Sequence, residues 1–68
     1  MEIFQLTTDH IQLNQLLKAL GWCGNGSDAN TAIENRQVKV NGEIELRKRN
    51  KIKSGFKVEF AGRVAMIE

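Results

Sequence analysis

A chain of 68 residues with one cysteine, Cys23, and one histidine, His10, has neither an internal disulfide nor a metal site of several nitrogen and sulfur ligands to hold it together. Its fold must rest on the burial of apolar side chains, and at this length only one core can be enclosed. A single domain over residues 1–68 is therefore expected, with no cofactor. The apolar fraction of 41% is enough for such a core, so disorder is not indicated. No apolar run approaches the roughly 20 residues needed to cross a bilayer. Residues 1–7 lack the basic start and apolar middle of a signal peptide, so a cytoplasmic protein with no membrane partner is expected.

The apolar pattern changes period along the chain. Ile3 to Leu6 reads as a short strand. Leu13, Leu16, Leu17 and Leu20 then recur at helical spacing behind an Asp9–Gln12 pair with capping-box spacing, and Gly21 supplies a stop, which predicts a helix over 10–20. After the glycine-rich stretch 21–27, Ser27 is the expected cap of a second helix whose buried stripe is Ala29, Ala32 and Ile33. From Val38 the period becomes two. Val38 and Val40, a turn at Asn41-Gly42, and Ile44 and Leu46 predict a hairpin, and one extra residue at Gly42 would pair Val38 with Ile44 and Lys39 with Glu43. Val58 and Phe60, a turn at Ala61-Gly62, and Val64 and Met66 predict a second hairpin. Helices followed by strands in this order imply an α+β fold, with the helices packed on one side of a small, mainly antiparallel sheet. The expected core comprises Leu13, Leu16, Leu17, Leu20, Ala29, Ile33, Val38, Ile44, Val58 and Phe60.

Charge is divided as sharply as period. Residues 1–35 carry Lys18 against four acidic side chains, a net of −3, whereas residues 36–68 carry nine basic side chains against four acidic ones, a net of +5. Half of the ten basic residues, Arg47, Lys48, Arg49, Lys51 and Lys53, fall within seven positions. Concentration of this kind attracts a polyanion, although a charge run by itself is as often only a solvated face. Here the run follows a hairpin whose outward face carries Lys39, with Arg36 just before it. Rigid elements would gather these seven cations near one end of the sheet, where neutralising phosphates releases counterions and gives affinity without base sequence.

Catalysis is not expected, because the single His and single Cys sit in separate elements and there is no tyrosine. The loop Gly21-Trp22-Cys23-Gly24-Asn25-Gly26-Ser27 lacks the Gly-Lys-Ser/Thr ending of a nucleotide loop, so turning is the simpler reason for its glycines. Trp22 reads as a core or lid residue before it reads as a base-stacking platform.

Leu16-Leu17-Lys18 leading into Gly21, Ser27-Asp28-Ala29, Ile33, Val38-Lys39-Val40-Asn41-Gly42, Arg47 and Lys51-Ile52-Lys53-Ser54-Gly55 together resemble the S4 RNA-binding domain over about residues 3–66. The length and the Leu-Lys-x-x-Gly-Trp segment resemble its standalone bacterial YbcJ-like group. The resemblance implies an αL motif, two helices leading into a β-hairpin, that contacts structured RNA such as ribosomal or transfer RNA. It assigns RNA contacts to Lys18, to Lys39 and the Asn41-Gly42 turn, and to Arg47, Lys48 and Lys51. Three positions depart from the family pattern: Asn30 stands where Lys or Arg is common, Arg36 where a glycine usually ends the second helix, and Phe56 where an aspartate usually follows Gly55.

Joining both readings, the expected RNA-binding residues are Lys18, Arg36, Lys39, Asn41, Arg47, Lys48, Arg49, Lys51 and Lys53. The expected partner is structured RNA, with the ribosome or a ribosomal precursor as the candidate assembly, and the expected state is a monomer. The rival reading is a protein-interaction module that docks on a ribosome-associated partner through the leucine face. Duplex DNA is disfavoured, because neither helix carries several basic residues on one exposed face for the major groove.

Overall fold

A computed structural model describes all 68 residues. The elements are β1 (Glu2–Phe4), β2 (Ile11–Gln12), α1 (Leu13–Ala19), α2 (Gly26–Glu34), β3 (Val38–Val40), β4 (Glu43–Ile44), β5 (Lys51–Ile52), β6 (Lys57–Phe60) and β7 (Arg63–Ile67). Five strands form one sheet in the order β1-β7-β6-β3-β4, in which every neighbour is antiparallel except β1 beside β7. The fold is α+β, two helices leading into a hairpin and packed on a mainly antiparallel sheet.

The buried side chains come from one side of the sheet and from the helices above it. Val38, Val40, Val58, Ala65 and Ile67 meet Leu13, Leu16 and Leu17 of α1, Ala29, Ala32 and Ile33 of α2, and Ile52 of β5. The alanines on α2 let the two helices approach closely. Leu20 and Phe60 pack against this core only in part. Because Leu13, Leu16 and Leu17 are fully buried, the leucine face that the rival docking reading requires is not available to a partner.

Ile44 does not join the core. The first hairpin has the strict two-residue turn, with Val40 opposite Glu43 and Lys39 opposite Ile44, so the expected bulge is absent. The reason lies at the turn, where Asn41 has φ 53° and Gly42 φ 87°, the signs of the mirror-image turn that matches strand twist without an extra residue. Asparagine is locked there by β6: the Lys57 N–H donates to Asn41 Oδ1 at 2.9 Å, and the Asn41 N–H to the Lys57 carbonyl at 2.8 Å. Ile44 is consequently beside Lys39 on the open face of the sheet and is exposed. The second hairpin turns at Ala61-Gly62 as expected, but Val58 faces Ala65, so Ala65 and Ile67 take the core and Val64 and Met66 lie on the other side.

The helix ends also differ from the pattern-based expectation. Helix α1 begins at Leu13, because Ile11 and Gln12 are used as a strand against Ile52 and Lys51, and no side chain caps it. Helix α2 is capped by Asn25, whose side chain accepts the Asp28 N–H at 2.8 Å, with Ser27 already inside the first turn. Both helices close with the same pair of backbone bonds. Gly21 and Trp22 donate to the carbonyls of Lys18 and Leu17, and Arg36 and Gln37 to those of Ile33 and Ala32. In the second case Arg36 takes the left-handed backbone at φ 62°, which glycine would adopt without strain.

Trp22 is a lid. Its ring stacks on Phe60 at 6.4 Å, its indole N–H donates to Glu2 at 3.1 Å, and the Arg63 guanidinium lies 5.4 Å over it while also bonding Glu2 at 2.9 Å. This cluster ties β1 and β7 to the end of α1.

Two stability outcomes follow from this packing. Leu17→Ala should lower unfolding free energy in urea by about 2–5 kcal/mol, the range for buried leucine truncation. Arg36→Gly should raise the melting temperature, relieving up to about 1 kcal/mol of left-handed strain net of the added chain entropy. A melt unchanged or lowered in the glycine variant would show that Arg36 stores no strain.

Candidate nucleic-acid interface

The segment between β4 and β5 is where the basic residues concentrate, and its first anchor is its backbone. The first amides of a helix have no intrahelical acceptors. In α1 the Leu13 N–H donates to the Asn50 carbonyl at 2.9 Å and the Asn14 N–H to the Lys48 carbonyl at 3.0 Å. The loop thus supplies the cap that the helix lacks.

A second anchor is Glu45, whose carboxylate accepts from the Arg47 backbone N–H at 2.9 Å, from Arg47 Nε at 2.9 Å and Nη2 at 3.2 Å, and from Asn50 Nδ2 at 3.1 Å. The hydrogen bond from the Arg47 side chain, assisted by its charge and by backbone amides, holds the Glu45 carboxyl below its ordinary value, against the opposing effect of partial burial. The loop Arg47–Lys53 therefore has a defined course between β4 and the start of α1.

Cations project on both flanks of that course. On one flank Arg47, Lys51 and Lys53 line a cleft of about 550 Å³ together with Asn41 and Glu43. On the other, Arg49 and Lys18 line a wholly polar recess of about 200 Å³ with Gln12, Asn14 and Gln15. The structure therefore brings six of the expected residues, Lys18, Asn41, Arg47, Arg49, Lys51 and Lys53, to two recesses that share one loop. Three others are placed differently. Lys48 points to the end of α2 and is paired with Glu34 at 2.8 Å, Arg36 ends α2, and Lys39 lies on the open face of the sheet between Ile44 and Glu59. The seven cations expected to gather at one end of the sheet are not one patch, because the hairpin's register turns Lys39 away from the loop.

Asn41 also has a structural task. Its Oδ1 is engaged by β6, which leaves its amide nitrogen as the group able to reach a ligand. Lys18, in the last turn of α1, complements the negative end of that helix as well as facing the recess.

Comparison with known proteins identifies the architecture. The family model described as the S4 domain matches residues 4–68. The chain belongs to the S4 domain family. Over 53 residues it is 51% identical to the "Putative RNA-binding protein YbcJ" of Escherichia coli (strain K12), covering 78% of this chain and 76% of that one. The same figures hold for the "Uncharacterized protein YbcJ" of Shigella flexneri. The solution structure of YbcJ from E. coli, described as revealing an αL motif involved in RNA-binding, superposes with a TM-score of 0.75 at 44% identity, covering 98% of this chain and 86% of that one.

In this S4 domain the three departures from the family pattern each have a local explanation. Asn30 accepts from Asn14 Nδ2 at 3.1 Å and so ties α2 to α1 in place of a surface cation. Arg36 bears the left-handed turn itself. Phe56 packs against the core, and its turn keeps its bonds through backbone alone, from Phe56 N–H to Lys53 and from Gly55 N–H to Ile67. Sequence reasoning passed over Glu45, Asn50 and Asn14. Asn50 is the one uncharged residue in the run 47–51, a composition that favours a turn, whereas nothing in an alternating strand pattern distinguishes Glu45 from Glu43.

The Glu45 anchor gives a pH dependence. A carboxyl with a depressed folded-state pKa contributes stability that is complete above its unfolded value, near 4.5, and is lost as pH falls through the lower folded value. Glu45→Gln should therefore melt at a lower temperature than the parent at pH 7, and the gap should close as pH falls below about 4.5. A gap independent of pH would mean that the carboxylate charge does not hold the loop.

Proposed function

We propose that this S4 domain binds structured RNA of the ribosomal or transfer RNA type through the loop Arg47–Lys53 and its two flanking recesses, without catalysing a reaction. The observation that carries the reading is the anchoring of that loop. Its carbonyls cap α1, so the side chains of Arg49, Lys51 and Lys53 emerge from a fixed backbone and are not lost in a mobile tail. None of these three, nor Lys18, has a carboxylate within 4.0 Å, so their charge is free for an external anion. Lysine offers a point charge and arginine a planar fork, and both suit phosphates whose spacing is set by a folded RNA. The descriptions of the YbcJ relatives as RNA-binding support the same class of partner. The reading has the protein act in the cytoplasm as a monomer, on the ribosome or a ribosomal precursor.

Arg47 and Lys48 are poor test positions, since each is held by a glutamate and reversal would disturb the loop. Lys51→Glu with Lys53→Glu is the cleaner change, because both side chains are exposed and unpaired. With three to five phosphates neutralised, log affinity for a hairpin RNA should fall against log salt with a slope of roughly −2 to −4. The double reversal should weaken binding to every hairpin tested and make the slope shallower by about 1–2, whereas Lys57→Glu should do much less. Undiminished affinity and an unchanged slope in the folded double variant would remove this loop as the RNA site.

A further inference from the structure

The larger recess contains a group that phosphate binding does not use. Glu43, at the start of β4, faces the same cleft as Arg47, Lys51 and Lys53, and its carboxylate has no cationic nitrogen within 4.0 Å and no hydrogen bond to the protein. The neighbouring Glu45 is consumed by Arg47 and Asn50. A free carboxylate among cations repels a phosphate, so its presence there calls for a ligand that brings hydrogen-bond donors along with its negative charge. The cleft also has an apolar wall, Val40 and the half-buried ring of Phe56, and at about 550 Å³ it lies within the range of roughly 300–1,000 Å³ typical of small-ligand sites.

Resting on the reading above, we infer that this cleft takes one unpaired nucleotide of the bound RNA and that Glu43 selects guanine. Sequence-specific RNA recognition works mainly on unpaired bases, which stack on aromatic rings and expose their Watson–Crick edges. A carboxylate presents two acceptors side by side and no donor. Guanine is the RNA base whose Watson–Crick edge sets two donors next to one another, N1–H and the 2-amino group. Adenine, cytosine and uracil each place a single donor group on that edge, next to at least one acceptor that a carboxylate would repel. In this arrangement the base lies along Phe56 with its edge at Glu43, the Asn41 amide is within the same lining for the remaining acceptor, and the unpaired Lys51 and Lys53 neutralise the flanking phosphates.

The test uses the full chain and a set of hairpin RNAs identical except for one bulged nucleotide: guanosine, inosine, adenosine, cytidine or uridine. Affinities are measured by fluorescence anisotropy at fixed salt. The guanosine bulge should bind on the order of tenfold tighter than the adenosine, cytidine or uridine bulge, the low part of the span a bidentate base contact provides. Inosine, which lacks the 2-amino group, should fall between. Glu43→Gln should abolish the preference while leaving affinity for the adenosine bulge unchanged or slightly higher, with an unchanged melting temperature. Equal affinities across the bulges, a preference for another base, or a uniform gain in Glu43→Gln with the order preserved would each overturn the guanine assignment and leave the charge-based reading standing. Failure of all five hairpins to bind at low salt would instead overturn that reading, and this one with it.

Discussion

The backbone bonds from Leu13 and Asn14 to the loop carbonyls of Asn50 and Lys48 are the constraint on which the candidate interface depends. They answer two needs at once. A helix of seven residues with no side-chain cap and no acidic residue in its first turn leaves its leading amides unsatisfied, and the run Arg47–Lys51 has no apolar side chain with which to dock. Each supplies what the other lacks, helped by the short ladder that pairs Ile11 with Ile52 and Gln12 with Lys51. Because the bonds are made by main chain, the side chains of Arg49 and Lys51 remain free to project outward, while Arg47, Lys48 and Asn50 are engaged by glutamates. The helix itself is fixed by Leu13, Leu16 and Leu17, so the core and the interface meet at residue 13, whose side chain is buried and whose amide holds the loop.

The sheet reaches the same end by a different route. Its edge-to-edge order places β3, which belongs to the first hairpin, against β6 of the second, and the Asn41–Lys57 bonds lock the tip of one hairpin to the start of a strand in the other. A two-residue turn with positive φ at both positions fixes the register, and a one-residue slip would have exchanged the faces of every side chain on β4. Register thus decides which charges face the loop. Glu43 is turned into the cleft because it is opposite the buried Val40, and Lys39 is turned away because it is between Val40 and Val38, which are both buried.

Much of this was legible in the residues. The leucine spacing located the first helix, Ala29, Ala32 and Ile33 the second, and the alternation around Val38 and Val58 the two hairpins, since each is a periodicity that one buried face imposes. The errors fall where local sequence is overruled by a distant partner. Ile11 and Gln12 fit a helix and are drawn into a strand by Ile52, and Asp9 cannot cap a helix that starts four residues later. The Asn41-Gly42 pair was visible as a turn, but its bond to Lys57 sixteen residues away is what excludes the bulge. In the same way the density of cations at 47–53 was plain, while their division into two flanks and the capture of Lys48 by Glu34 depend on tertiary placement.

That division bears on how stability and binding are linked. The N-terminal end of a helix carries partial positive charge, and here it receives a loop with five basic residues rather than the acidic side chains that would complement it. Glu45 and Glu34 offset part of this repulsion by engaging Arg47 and Lys48. Arg49, Lys51 and Lys53 are left uncompensated, and a small domain with little stability to spare retains them at an electrostatic disadvantage in the free state. Under the proposed reading, an anion bound along the loop would remove that disadvantage, so its affinity would include relief of repulsion within the protein in addition to direct contact.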